Sequence, residues 1–441
     1  MAIRPQPVRD REAPFDVSEL FFSTTDKKGV ITSCNEVFLR VAGYASDELL
    51  GAPHNVIRHP HMPRSVFFLL WERLLAGRAV GAYVKNRAKD GAHYWVFAVV
   101  TPHDGGFLSV RLKPTSPRFH AVVSLYRDLL EQEQSYGDDW RAGMRASYER
   151  LHAAVASLGF DSYDAFADRA LRDELAARDA ALASAAADGD GPPRRRAAAA
   201  ATAGLERLDE LIAQLDAREE LLRSLGASVS HMASNAAVAA ARLGADPEAR
   251  ALATISHEVS RVATHISAES RRVGQESGRL RAAATQATVN MARARLYDAQ
   301  IAAFAAGRRG HDLDRDEQIA RYGGTLDDLS RVLGAASGHA RHESAVSLAQ
   351  LRASLDVFRG VLDALGRILL TIQLSHVTGK ALAAQLPHGA QFARLLTELS
   401  ELAEDARERL GSLDVTVDDV QRGAARWARA MEGGDRRRQA A

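Results

Sequence analysis

The most constraining feature of this sequence is a change of pattern between residues 114 and 117. Before it, most of the aromatic residues lie in short segments where apolar and polar side chains alternate, which is typical of β-strands. After it, the chain is rich in Ala, Leu, Arg and Glu, and its apolar residues recur at helical spacing. The pattern predicts an α+β domain followed by a long all-α region.

The first part predicts an antiparallel sheet with short helices across one face. Asp90 and Gly91 form a hairpin signal between two alternating segments. Asn35 and Ser46 are suited to cap two short helices at 36–42 and 47–50. A longer apolar helix is expected at 64–75, and the predicted strands are 21–25, 30–34, 81–87, 93–101 and 107–113.

The second part predicts helices throughout. Helices are expected at 119–134 and 140–185, with a break near Gly159, followed by an exposed connection at 188–196. Heptad spacing from Leu205 to Ala240 favours a coiled coil or antiparallel bundle, and a turn at 244–247 folds the chain back. Further turns are expected at 307–314 and 323–324. Helices then run to about residue 431, before a frayed tail.

Composition excludes several classes of protein. The 57 Lys and Arg residues nearly balance the 56 Asp and Glu residues, which argues against binding to nucleic acid. Cys34 is the single cysteine, so neither an internal disulfide nor a cysteine metal cluster is expected. No run of about 18 apolar residues occurs, so no transmembrane segment is expected. We expect a soluble, cytoplasmic protein of two or three units.

The predicted α+β part resembles a known sensor family. The order and spacing of several motifs resemble those of the PAS domain of aerotaxis receptors. These motifs lie in residues 25–63, which include Gly43, at Trp71, and in residues 84–96. This resemblance assigns a PAS sensor domain to residues 15–115 and implies bound FAD whose redox state is reported. Linker helices at 118–187 would then follow the domain.

The same resemblance implies a set of cofactor-binding residues. Arg58 and His59 match family positions needed for flavin binding, and Asn35, Trp71 and Asn86 match pocket positions. Arg58 and His59 lie on a proline-bounded loop and have the chemistry to pair with a phosphate. The Asn86 amide is expected to point inward, where it would pair with the polar edge of a flavin ring.

Two alternatives to FAD stay open. His61 occupies the position of a family aspartate, which leaves the identity of the cofactor undecided. Haem, with His59 or His61 as axial ligand, is one alternative, and an empty pocket is the other.

The helical part resembles a degenerate chemoreceptor. Residues 234–244 and 251–263 are similar to the methyl-accepting chemoreceptor hairpin just past its tip, whose small residues let helices approach closely. The tip that docks partners is replaced at 228–233. The resemblance implies a hairpin at 200–306, a helical segment at 325–432, a homodimer, and contact with a chemotaxis coupling protein and histidine kinase.

Together these features predict a non-enzymatic receptor that relays redox or oxygen sensing to chemotaxis-type signalling. The alternative is a cofactor-free PAS protein that dimerises and scaffolds partners. A histidine-kinase function is disfavoured: His257 lies in a motif like a phosphoacceptor box, but no nucleotide-binding signature follows it. No catalytic or metal-binding residues are predicted.

Overall fold

The computed structural model describes residues 6–185, 247–308, 313–383 and 389–439, with a few isolated positions between 227 and 238. These residues belong to two compact units. The first comprises those within Met1–Ala197 and Val289–Ser344, and the second those within Ala198–Thr288 and Ala345–Ala441. The predicted connection at 188–196, the turn at Gly244 and nearly all of the heptad segment from Leu205 to Ala240 lie outside the described residues.

The first unit contains a five-stranded antiparallel sheet in the order β2-β1-β5-β4-β3. Four helical segments connect β2 to β3, three of them close to the predicted positions and the fourth, a 3-10 helix, not predicted. The strands are β1 (Phe21–Asp26), β2 (Ile31–Cys34), β3 (Val80–Arg87), β4 (His93–His103) and β5 (Gly106–Leu112). The connecting segments are α1 (Glu36–Ala42), α2 (Ser46–Leu49), a 3-10 helix (His54–Ile57) and α3 (Arg64–Leu75).

One of the two predicted helix caps is confirmed and the other is wrong. The Asn35 side chain accepts a hydrogen bond from the Phe38 N–H at the start of α1, as expected. Ser46 instead lies inside α2, where Ala45 holds the N-cap position. The Ser46 hydroxyl is engaged elsewhere, because it donates to the carbonyls of Ala320 and Arg321 at 2.8 Å.

Three helices follow the sheet and pack with it in the same unit. They are α4 (Pro117–Ser135), α5 (Trp140–Ser157) and α6 (Tyr163–Ala185). The predicted break near Gly159 is confirmed, since this residue has a φ of +84° between α5 and α6. Phe119 of α4 packs against Tyr83 and Trp95, with ring centroids 5.8 and 5.3 Å apart.

The rest of the described chain is helical. The helices are α7 (Pro247–Arg308), α8 (Arg315–Tyr322), α9 (Leu326–Ala383) and α10 (Gly389–Gln439). Pro247 is the first residue of α7, in keeping with the predicted helix restart. α10 continues to Gln439, so the expected fraying after residue 431 is not found.

Residues from α7 and α8 complete the first unit. Phe304 packs edge-on against Phe22 of β1, with ring centroids 5.2 Å apart, and the Tyr297 hydroxyl bonds to Thr101 of β4. Arg321 of α8 pairs with Glu36 of α1. Part of the segment predicted as a chemoreceptor-like hairpin therefore packs with the sheet domain.

The second unit buries residues at coiled-coil spacing. In α9 the buried positions alternate in steps of four and three, as expected for a helix that packs along one seam. The residues with this spacing are Leu351, Leu355, Phe358, Leu362, Leu365 and Leu369, and Val361 is buried beside them. α10 shows the same spacing at Leu410, Leu413, Val417, Val420 and Ala424. Among the described helices, none has the length and apolar character needed to cross a bilayer.

Candidate functional site

A cavity of about 790 Å³ lies between the inner face of the sheet and α3. Its size is within the range of pockets that enclose small organic ligands. Four strands, the loop before α3, α3 itself and the first turns of α5 contribute to its wall. The charged and polar lining residues are Ser23, Thr25, Lys28, His54, Asn55, Arg58, Arg64, Asn86, Ser109, Arg111, Arg141 and Arg145.

Aromatic rings and small aliphatic side chains form the middle of the cavity. Trp71 of α3 meets Phe107 of β5 edge-on, with ring centroids 5.4 Å apart. Gly29 makes room for the Trp71 indole: a Cβ at this position would lie 3.3 Å from the ring, and its φ of +81° also favours glycine. Flat apolar walls of this kind suit a planar ring.

The inner end of the cavity, formed by Ser23, His54, Asn86, Ser109 and Arg111, carries one deeply buried cation. Arg111 is 3% exposed. Its guanidinium donates to Ser109 Oγ at 3.1 Å, to Ser23 Oγ at 2.6 Å and to His54 Nε2 at 2.6 Å. Nη1 is buried and has no hydrogen-bond partner. An unpaired buried donor on a cation is costly, so an acceptor in the cavity would stabilise it.

Burial determines the charge states at the inner end. It lowers the pKa of Arg111 to about 10, which still leaves the guanidinium charged at neutral pH. Burial, assisted by the positive charge of Arg111, lowers the pKa of His54 to about 3. His54 is therefore neutral and accepts the arginine's hydrogen bond through Nε2.

Three of the five predicted site residues line the cavity: Arg58, Trp71 and Asn86. Asn86 is 3% exposed, and its side chain lies on the cavity side of β3, as expected from strand alternation. Arg58 donates to the Met62 carbonyl at 2.9 Å and lies over the Phe67 ring. Burial lowers the pKa of Arg58 from its ordinary value.

The other two predicted residues, Asn35 and His59, do not line the cavity. The Asn35 amide donates to the Leu20 carbonyl at 2.8 Å, and its oxygen accepts from Phe22 and Phe38, so it joins α1 to β1. Asn35 therefore serves as a helix cap with all its polar atoms occupied.

His59 lies in a separate histidine cluster. Its Nδ1 accepts from the His61 N–H at 3.0 Å, and its ring is 4.8 Å from His61 and 6.2 Å from His93. Burial, with the nearby Lys85 charge, lowers the pKa of His59 to about 3. Among the described residues, no group of three or more His, Cys, Asp or Glu side chains has the arrangement to hold a metal ion.

The opposite end of the cavity opens to solvent between α3 and α5. We call this end the mouth, formed by Arg64 and Phe68 of α3 and by Trp140, Arg141 and Arg145 of α5. Phe68 and Trp140 are 46% and 44% exposed, and the three arginines are also exposed. The cavity wall therefore includes a helix that lies after the sheet domain in the chain.

Sequence reasoning missed Arg111, His54 and the α5 residues. The available signal for Arg111 was a cation in an apolar strand, since Leu108, Val110 and Leu112 surround it. The contribution of α5 depends on tertiary packing between α3 and α5, which are far apart in the chain, and the sequence offers no local pattern for it.

Comparison with known proteins identifies the fold of this region. Residues 31–110 match the PAS fold family. The chain thus carries a PAS domain with adjoining helices. Two solved light-oxygen-voltage domains overlap it structurally, with 20% and 16% sequence identity and TM-scores of 0.21 and 0.22. They cover 24% and 25% of this chain and 83% and 91% of their own.

The PAS domain is similar to that of an aerotaxis receptor, as its motifs predict. The chain is 39% identical over 127 residues to the aerotaxis receptor of Escherichia coli, covering 28% of this chain and 25% of that protein. It is 28% identical over 138 residues to the biofilm dispersion protein BdlA of Pseudomonas aeruginosa, covering 31% of this chain and 30% of that protein. The matches thus span only a quarter to a third of these relatives.

Proposed function

We propose that this chain is a non-enzymatic signalling receptor whose PAS domain holds FAD and responds to redox state or oxygen. The observation that carries the proposal is the cavity behind Arg111, which combines an unpaired buried donor with aromatic walls. The similarity to the aerotaxis receptor supports the choice of stimulus.

The lining residues fit a flavin. FAD supplies a reversible electron acceptor when bound. Asn86 has an amide suited to the polar edge of the ring, and Trp71 and Phe107 offer apolar surfaces to its faces. Arg111 would stabilise negative charge that the ring gains on reduction, because the guanidinium stays protonated and no acidic residue lines the cavity.

The described histidines give little support to haem. His59 and His61 do not line the cavity, and the Nε2 of His54 already accepts a hydrogen bond from Arg111. None of these three side chains therefore offers a free axial nitrogen at the cavity wall.

A contact network connects the sheet to the outgoing helices. Tyr83 lies on β3 beside Val84, with its side chain on the opposite face from the cavity, and its hydroxyl donates to Glu174 of α6 at 2.8 Å. The same carboxylate accepts from Ser116 N–H at 3.0 Å, immediately before α4 begins at Pro117. A shift of β3 would therefore move the start of α4.

We further propose a chemotaxis-type output from a cytoplasmic homodimer that contacts a coupling protein and a histidine kinase. The similarity to the aerotaxis receptor supports this assignment. The segment that replaces the receptor tip, residues 228–233, lies almost wholly outside the described residues.

The test is the absorption spectrum of the purified full chain. We expect a yellow protein with oxidised-flavin bands that bleach on addition of dithionite and return in air. A colourless protein that also takes up no added FAD would support the cofactor-free scaffold, and a Soret band would support haem. Co-purification with the coupling protein tests the output separately.

A further inference from the structure

The lining of the cavity carries several positive charges and no acidic side chain. Five exposed or partly exposed cations contribute to the cavity lining, in addition to Arg111: Lys28, Arg58, Arg64, Arg141 and Arg145. No Asp or Glu is among the lining residues. Such a wall favours an anionic ligand.

The arginines of the mouth differ from their neighbours in this respect. Arg73 at the other end of α3 pairs with Asp164 at 2.9 Å, and Arg118 of α4 pairs with Asp173 at 2.7 Å. Arg64, Arg141 and Arg145 form no ion pair with any described residue. Their charges are therefore available to a ligand.

Packing places two of these cations against the same indole ring. The guanidinium of Arg64 lies 5.3 Å from the Trp140 ring centroid, and that of Arg141 lies 4.9 Å from the same ring. Stacking on an indole restricts both side chains. Both charges add to the positive potential around this ring, and a polyanion bound there would offset it.

α5 is anchored to α3 beneath the mouth. Glu133, at the end of α4, is 8% exposed and accepts from the backbone N–H groups of Arg64 at 2.9 Å and Ser65 at 3.0 Å. Ser147 of α5 donates to the same carboxylate at 2.8 Å. α3 has no side-chain cap at Pro63, so a carboxylate from α4 satisfies its first amides.

We propose that α5 is part of the ligand site: Arg64, Arg141 and Arg145 bind the diphosphate of a dinucleotide cofactor whose ring lies near Arg111. This inference rests on the proposed flavin site. It adds the residues that would bind the diphosphate, which FAD carries and riboflavin lacks. Guanidinium groups bind phosphate oxygens through paired hydrogen bonds. By linkage, ligand binding and docking of α5 on α3 then stabilise each other.

The test compares FAD with riboflavin, which lacks phosphate, on the full chain freed of its cofactor. The variant is the double substitution Arg141→Gln and Arg145→Gln. The control is Arg150→Gln, which removes an exposed cation on α5 that pairs with Asp128 and does not line the cavity. Dissociation constants are measured by flavin fluorescence, and α5 docking by hydrogen exchange at residues 140–150.

We expect wild type and the control to bind FAD more tightly than riboflavin. The double variant should lose about ten- to a hundredfold in FAD affinity and little in riboflavin affinity. FAD, but not riboflavin, should protect the α5 amides in the wild type. Equal wild-type affinities for the two ligands, or unchanged FAD binding in the double variant, would overturn the inference and leave the flavin receptor intact. A wild type that binds neither ligand would overturn both.

Discussion

The two ends of the PAS cavity present positive charge in opposite ways. At the inner end a single guanidinium, Arg111, is buried on the sheet and has three hydrogen bonds and one unpaired donor. At the mouth, Arg64, Arg141 and Arg145 are exposed on two helices. A buried charge interacts strongly because water does not screen it, whereas water and salt screen exposed charges and weaken their interactions.

This difference separates two roles within one site. The inner end belongs to the sheet, and its polar atoms are fixed by short hydrogen bonds, so it is suited to recognise a ring. The mouth includes α5, so it is suited to couple ligand binding to the helices that leave the domain. The contrast is testable, because substitutions at the two ends should differ in size, in ligand dependence and in response to salt and pH.

The largest effect is expected from Arg111→Met. A hydrogen bond to a charged group contributes about 1.5–3 kcal/mol, so loss of this buried donor should weaken binding by roughly tenfold to more than a hundredfold. FAD and riboflavin should lose affinity equally, because both carry the ring. The ligand-free variant should change little in stability, because relief of the buried charge and its unpaired donor offsets the loss of three hydrogen bonds.

Titration of the ligand-free protein with both flavins, together with urea unfolding, checks this prediction. Lys113→Met is the matched control. Lys113 is a cation two residues after Arg111, but it donates to the Phe15 carbonyl and does not line the cavity. An unchanged riboflavin affinity in the Arg111→Met variant would contradict the proposed difference between the inner end and the mouth of the cavity.

The next effect is expected from Glu133→Gln, which weakens the anchor beneath the mouth. A carboxylate that accepts three hydrogen bonds becomes a neutral amide, and bonds to charged groups contribute about 1.5–3 kcal/mol each. We expect the free energy of unfolding to fall by about 1.5–3 kcal/mol. Denaturant titration measures it, with the exposed Glu131→Gln on the same helix as control; equal stability of the two variants would contradict the role of Glu133.

A smaller, pH-dependent effect is expected from His54 at the inner end. Its pKa is about 3 in the folded chain and about 6.5 when unfolded, so between these values only the unfolded chain binds the proton. The free energy of unfolding should therefore fall as pH falls below about 6.5, by about 1.4 kcal/mol per pH unit from this group.

His54→Gln keeps an acceptor for Arg111 and removes the titration. Between pH 6 and pH 5 its stability should decline less steeply than that of wild type, by about 1.4 kcal/mol per unit. His59 contributes in the same direction in both proteins, so the comparison isolates His54. The exposed His120→Gln serves as control, and parallel curves for wild type and His54→Gln would count against the lowered pKa of His54.

Local signals predicted the fold better than the site. The Asn35 cap and the Asp90–Gly91 hairpin depend on neighbouring residues, and both are found in the structure. Ser46 failed as a cap because its hydroxyl bonds to residues more than 270 positions away. Glu133 carried no local signal for the same reason, since the amides it caps lie 69 and 68 positions earlier.

The site shows the same limit in a different form. Trp71 and Asn86 line the cavity because strand and helix periodicity place them on inward faces. His59 lies in an irregular loop, two residues after the 3-10 helix that contains His54. No regular period fixes the direction of its side chain there, and its ring packs against His61 and His93. The role of Arg111 depends on how β5 pairs with its neighbours, which becomes clear only in the assembled sheet.

The smallest effect, and the sharpest test of the comparison, is the response to salt. Raising the ionic strength from 0.1 M to 1 M shortens the screening length from about 10 Å to about 3 Å, which weakens exposed charges more than buried ones. FAD affinity should fall about threefold in wild type, through Arg64, Arg141 and Arg145, while riboflavin affinity at the inner end stays unchanged. In the Arg141→Gln, Arg145→Gln variant the salt dependence of FAD binding should largely disappear. Isothermal titration at both ionic strengths measures these affinities, and an equal salt response for the two flavins would mean that the mouth does not contact the phosphates.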